Sequence, residues 1–70
     1  MEIIKLRDEY IKLGQAIKAA NLVGSGGQAK LKIQDGQVTV NGEVCTQRGK
    51  KIRVGDIVNC DKQTVTVTES

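Results

Sequence analysis

Four cations fall within six residues at "RGKKIR": Arg48, Lys50, Lys51 and Arg53. Two more, Lys30 and Lys32, precede them in "AKLKIQ". Closely spaced ammonium and guanidinium groups do one kind of chemistry well. They hold phosphates, and a row of them matches phosphates repeated along a nucleic acid backbone. Residues 28–53 carry six cations against Asp35 and Glu43, a surplus of four, whereas the remainder has five cations against six carboxylates. The positive charge is therefore concentrated in one segment, the pattern of a protein that meets a polyanion. A solvated basic face would have the same composition.

Other chemistry is poorly supplied. The chain has no histidine, so the usual base at neutral pH is missing. Cys45 and Cys60 stand fifteen positions apart, outside any C-x-x-C pair and with no histidine to activate them. No zinc tetrad can be assembled from two thiols alone, so no metal and no cofactor is expected. Both thiols are expected to be free. The turn Gly24-Ser25-Gly26-Gly27 offers backbone amides at a helix start, but the Walker spacing with its Lys-Ser/Thr is absent. No catalytic residue is expected, and the chain does not read as an enzyme.

The elements that must position the cations follow from periodicity. "EIIKL" (2–6) reads as an edge strand. Tyr10, Leu13, Ile17 and Ala20 recur at helical spacing, with the start at Asp8 or, because Gly14 weakens the first half, nearer Lys12. Ser25 with Gln28 three residues on forms a capping box, Ala29 and Ile33 form a buried stripe, and Gly36 is a left-handed C-cap. Leu31 falls off that stripe. The period then becomes two. Val38 and Val40 share one face, Asn41-Gly42 marks a type I′ hairpin turn, and in "KIRV" Ile52 and Val54 point inward while Lys51 and Arg53 point out. Gly55-Asp56 turns the chain, and "IVNC" and "TVTVT" are two more strands split by Asp61-Lys62. The expected fold is α+β, with two helices packed on a small antiparallel sheet of short strands.

Seventy residues make a single domain, 1–70. A chain of this size buries only about 60% of its unfolded surface, so its stability margin is thin. With one aromatic, Tyr10, and no Phe or Trp, the core must be aliphatic. No apolar run approaches the ~20 residues of a membrane span, and no secretory signal is read at the start, so a cytoplasmic monomer is expected. Unpaired bases are stacked on aromatic side chains. Their scarcity here favours structured RNA, read by shape and phosphate, over a single strand.

The stretch "SGGQAKLKIQDGQVTVNGEVCTQRGKKIRVGDIV" resembles the S-four RNA-binding domain, named after the ribosomal small-subunit protein. Ser25, Ala29, Ile33, Gly36, Val38, Val40, Asn41 and Gly42 stand at the spacings of that family. The basic run from Arg48 to Arg53 and then Val54-Gly55-Asp56-Ile57-Val58 continue the pattern. The likeness covers about residues 12–60 and extends to small bacterial members in which the domain is nearly the whole protein. It implies an αL motif, two helices and the following strands, that docks on structured RNA such as ribosomal or transfer RNA. It implies RNA-binding roles for Ser25, Gln28, Lys30, Lys32, Arg48, Lys50, Lys51 and Arg53, and association with the ribosome. One departure is Gly26, where many members carry Arg after the helix-starting Ser.

Two other readings compete. A β-grasp-like adaptor shares "VNGEV" and "GDIV", but the sulfur carriers of that type act through a terminal Gly-Gly, and this sequence ends Val67-Thr68-Glu69-Ser70. A basic protein–protein module, including one that targets an RNA-modifying enzyme in trans, would bind without chemistry of its own.

Overall fold

The computed structural model describes residues 2–69. Nine elements follow in order: β1 (Glu2–Leu6), β2 (Ile11–Lys12), α1 (Leu13–Ala19), α2 (Gly26–Gln34), β3 (Val38–Val40), β4 (Glu43–Val44), β5 (Lys51–Ile52), β6 (Ile57–Cys60) and β7 (Gln63–Glu69). Five strands make one sheet in the order β1-β7-β6-β3-β4, and β2 with β5 makes a separate two-stranded ribbon. The architecture is α+β, as the periodicity implies.

The sheet is mixed, not purely antiparallel. β1 runs parallel to β7, with Ile4 opposite Val67. An antiparallel neighbour would follow from a short hairpin, but here both helices and five strands intervene, a connection long enough to bring the first strand back in the same direction as the last. β1 nonetheless lies at the sheet edge, as expected. Alternation sets its faces: Ile4 and Leu6 are buried, Ile3 and Lys5 exposed.

α1 begins at Leu13, the later of the two starts allowed by sequence, and Tyr10 lies outside it. Asp8 caps nothing here, and Lys12, at the N-cap position, provides no side-chain cap. The first amides are satisfied by a distant loop: Leu13 N–H donates to the Lys50 carbonyl at 2.8 Å and Gly14 N–H to the Arg48 carbonyl at 3.1 Å. Sequence periodicity cannot see such a cap.

Both helices end in Schellman turns. In α1, Asn21 is left-handed (φ 59°), its N–H reaches the Lys18 carbonyl, and Leu22 N–H reaches Ile17. In α2, Gly36 (φ 74°) bonds to Ile33, and Gln37 bonds to Lys32. The β3–β4 hairpin turns through Asn41 (φ 53°) and Gly42 (φ 87°), the type I′ geometry. A β-branched residue is poorly tolerated at positive φ. Gly36→Val and Gly42→Val are each expected to lose more than about 1 kcal/mol in urea unfolding; unchanged midpoints for both would contradict this.

The core is aliphatic. Leu13, Ile17, Ile33, Val38, Ile52, Val58, Val65 and Val67 are essentially inaccessible, and Cys60 lies among them. Val54 departs from the alternation of "KIRV": it is exposed. β5 ends at Ile52, and a turn closed by Asp56 N–H on the Arg53 carbonyl (3.0 Å), with Gly55 at φ 95°, swings Val54 outward. Leu31 is also exposed, in keeping with its position off the buried stripe of α2. Both cysteines are free thiols, Cys45 half-buried and Cys60 buried. Burial, with Asp61 nearby, pushes the Cys60 thiol up, against the lowering effect of Lys32. Among the described residues, no helix is long and apolar enough to cross a membrane.

Candidate nucleic-acid interface

The two carbonyls that cap α1 belong to the basic loop. The cap therefore fixes Arg48 and Lys50 against the start of α1, so the loop is seated rather than free. Gly14 permits the close approach. A Cβ at that position would stand 2.9 Å from Arg48 Cγ, inside the closest real contacts.

α1 and α2 pack together, and the loop closes one end of the groove between them. The groove has a volume of about 380 Å³. Its cations are Lys12, Lys18 and Arg48, and Gly14, Gly26 and Gly49 leave backbone at its surface. Lys30 follows Gly26 by four residues, which places it on the same flank of α2. Ser25 and Gln28 fix the start of that helix. Ser25 Oγ accepts from Gln28 N–H at 3.3 Å, while Gln28 Oε1 accepts from Gly24 N–H at 2.6 Å. The second half of the capping box thus reaches one residue further back than its usual partner.

A second, larger basin brings Lys50, Lys51 and Arg53 together with the β3–β4 hairpin, including Asn41 and Glu43. Lys12 on β2 and Lys51 on β5 stand directly opposite each other, so one ridge of charge joins groove and basin. The Lys51 ammonium lies over the Tyr10 ring, 5.0 Å from its centre. Asp56 organises the basin from below. Its carboxylate accepts from Arg53 N–H at 2.8 Å and from the Asn41 side-chain amide at 3.0 Å. Asn41 in turn accepts from Ile57 N–H at 2.9 Å. Burial pushes the pKa of Asp56 up, but the Arg53 and Asn41 hydrogen bonds and the charges of Lys50 and Arg53 outweigh it and hold the carboxyl below its ordinary value.

Of the six cations singled out by sequence, Arg48 lines the groove, Lys50, Lys51 and Arg53 line the basin, and Lys30 stands on α2 beside the groove without lining it. Lys32 is placed elsewhere: it is ion-paired and hydrogen-bonded to Asp61 at the β6–β7 turn, which raises its affinity for its proton. Two positions along α2 from Lys30, it points about 200° away. Sequence reasoning missed Lys12 and Lys18. Once α1 is known to start at Leu13, Gly14 and Lys18 are one turn apart on a single face, and that spacing was the available signal.

The pattern described as S4 domain matches residues 4–68, nearly the whole chain. The chain belongs to the S4 domain family. The match reaches from β1 to β7 and thus takes in more than the 12–60 stretch that carried the resemblance. The chain is also 41% identical over 58 residues to the probable ribosome maturation protein RlbA of Bacillus subtilis (strain 168), covering 83% of this chain and 82% of that protein. In this S4 domain backbone hydrogen bonds tie the basic loop to α1, and α1 packs against α2.

Proposed function

We propose that this S4 domain binds structured RNA, ribosomal RNA foremost, as a non-catalytic factor in ribosome maturation. The observation that carries the reading is the convergence of cations from three separate parts of the chain. Lys12 at the start of α1, Lys18 in its last turn and Arg48 of the loop line a groove whose surface is partly glycine backbone, Lys50, Lys51 and Arg53 line the adjoining basin, and Lys30 stands on α2 beside the groove. A duplex phosphate backbone suits such a surface, and glycines let it approach closely. The name of the Bacillus subtilis relative directs the choice toward ribosomal RNA, with transfer RNA as the other structured candidate. Ser25 and Gln28 contribute by holding the start of α2. A monomer acting in the cytoplasm fits this role.

Affinity for a labelled ribosomal RNA hairpin, measured across a salt series, tests it. With roughly four phosphate contacts, log Kd is expected to change by about 3 per decade of salt. Arg53→Ala and Lys50→Ala are each expected to weaken binding several-fold and to reduce that slope by about 0.7 to 1, across different hairpins alike. Lys62→Ala, remote from the surface on the β6–β7 turn, serves as control. Equal slopes for all variants would reduce the patch to general charge and sink the reading.

A further inference from the structure

Two features of the ribbon work against the stability of the free protein. Lys12 and Lys51 are directly opposed across β2 and β5, with their Cα positions in register. Opposed residues project to the same face with Cβ atoms about 5 Å apart, and like charges there are unfavourable. Their neighbours Ile11 and Ile52 point the other way: Ile52 is wholly buried and Ile11 half-buried against the core. The register is thereby anchored, and the two lysines cannot avoid each other by a slip of the ribbon. Lys12 also occupies the N-cap position of α1, where a cation opposes the helix dipole and the preferred oxygen-bearing cap is missing.

Among the described residues, neither lysine has a carboxylate partner; the ion pair present is Lys32 with Asp61. Lys51 is steadied by the Tyr10 ring beneath it, which orients its ammonium without neutralising it. The loop carbonyls of Arg48 and Lys50 satisfy the first amides of α1, but nothing among the described residues offsets the charge of Lys12 itself, and a local rule broken in this way marks a place where the sequence serves something other than the fold. A group carrying negative charge between the two ammonium ions would reverse both costs.

We infer that Lys12 and Lys51 form a clamp for a single phosphate, the point at which an RNA backbone crosses from the α1–α2 groove to the basin under the β3–β4 hairpin. Lys12 lines the groove and Lys51 lines the basin, so the clamp is the crossing point of the two. This deepens the RNA-binding reading and rests on it. It also separates the clamp from the outer cations, because two lysines sharing one phosphate act as one contact.

Lys12→Gln, Lys51→Gln and the double variant test it, with three measurements. In the free protein at low salt, Lys12→Gln is expected to match or exceed the wild-type melting temperature. For a ribosomal RNA hairpin, each single variant is expected to raise Kd about five- to tenfold and lower the salt slope by about one. The double variant is expected to lower the slope little further. In titrations with inorganic phosphate against chloride at matched ionic strength, amide shifts of Lys12 and Lys51 are expected to move in the wild type and not in Lys12→Gln. Steep wild-type binding that is unaffected by Lys12→Gln overturns the clamp and leaves the RNA reading intact. Single-variant slope losses that add in the double variant also overturn it, since they mean two separate phosphates. Absence of any salt-dependent affinity in the wild type overturns both readings.

Discussion

Gly14→Ala is expected to weaken RNA binding about tenfold while leaving the free domain as stable as before or more so. The two effects have opposite signs for separable reasons. Alanine in the first turn of α1 gains up to ~1 kcal/mol of helix propensity over glycine. The added methyl, however, would sit 2.9 Å from Arg48 Cγ, so the Arg48 side chain must leave its place along the groove. The Arg48 carbonyl lies 3.7 Å from the same point, an ordinary contact, so the backbone cap on α1 survives. What is lost is the aim of one guanidinium. A charge-assisted contact to phosphate contributes about 1.5 kcal/mol, or roughly tenfold in Kd.

A double-mutant cycle separates this from general damage. Arg48→Ala removes the atom that the new methyl meets. In that background Gly14→Ala is expected to change neither affinity nor salt slope. Additive losses in the double variant, or a silent Gly14→Ala beside a costly Arg48→Ala, would show that Gly14 does not position Arg48.

The parts of this fold that were legible in the sequence are those written in short-range signals. Asn41-Gly42 and Gly36 announce positive φ by residue type, and Ser25 caps α2 within three residues of itself. Ile52, Val38 and Val40 declare their burial by alternation. What escaped depends on residues far apart in the chain. The α1 cap comes from carbonyls at 48 and 50, and the parallel pairing of β1 joins the two ends of the described chain. Val54 escaped because the strand it seemed to continue had already ended in the Arg53–Asp56 turn.

The site divides the same way. The cluster from Arg48 to Arg53 stands out because its members are adjacent in sequence. Lys12 and Lys18 are unremarkable until the loop is placed on α1, and Lys32 looks like a member until Asp61 is found beside it. Spacing along one helix gives the direction of a side chain but not its partner on another element, and in Lys32 the partner decided the outcome.

Asp56→Ala is expected to cost about 2 kcal/mol, the largest loss of stability among substitutions at the basin. The carboxylate receives the Arg53 backbone amide and the Asn41 side chain at once, and so ties the β3–β4 hairpin to the turn before β6. Hydrogen bonds to a charged group contribute about 1.5–3 kcal/mol each when well shielded, and because Asp56 is only half-buried, solvent screening reduces each of the two to about 1 kcal/mol. A domain of this size rarely has more than about 3–5 kcal/mol in total. A fall in melting temperature of about 10 °C is therefore expected. The same carboxylate imposes a pH dependence of definite sign. Its folded-state pKa is depressed, first against the opposing effect of burial, by the two hydrogen bonds and the nearby Lys50 and Arg53. Its contribution is then fully present above the ordinary aspartate range, about pH 4, and is lost as pH falls through the folded value. Urea midpoints of the wild type should decline on acidification more steeply than those of Asp56→Asn, which keeps an acceptor but cannot titrate. Parallel declines for the two proteins would place the acid sensitivity on other carboxylates and remove Asp56 as the tie between hairpin and basic strand.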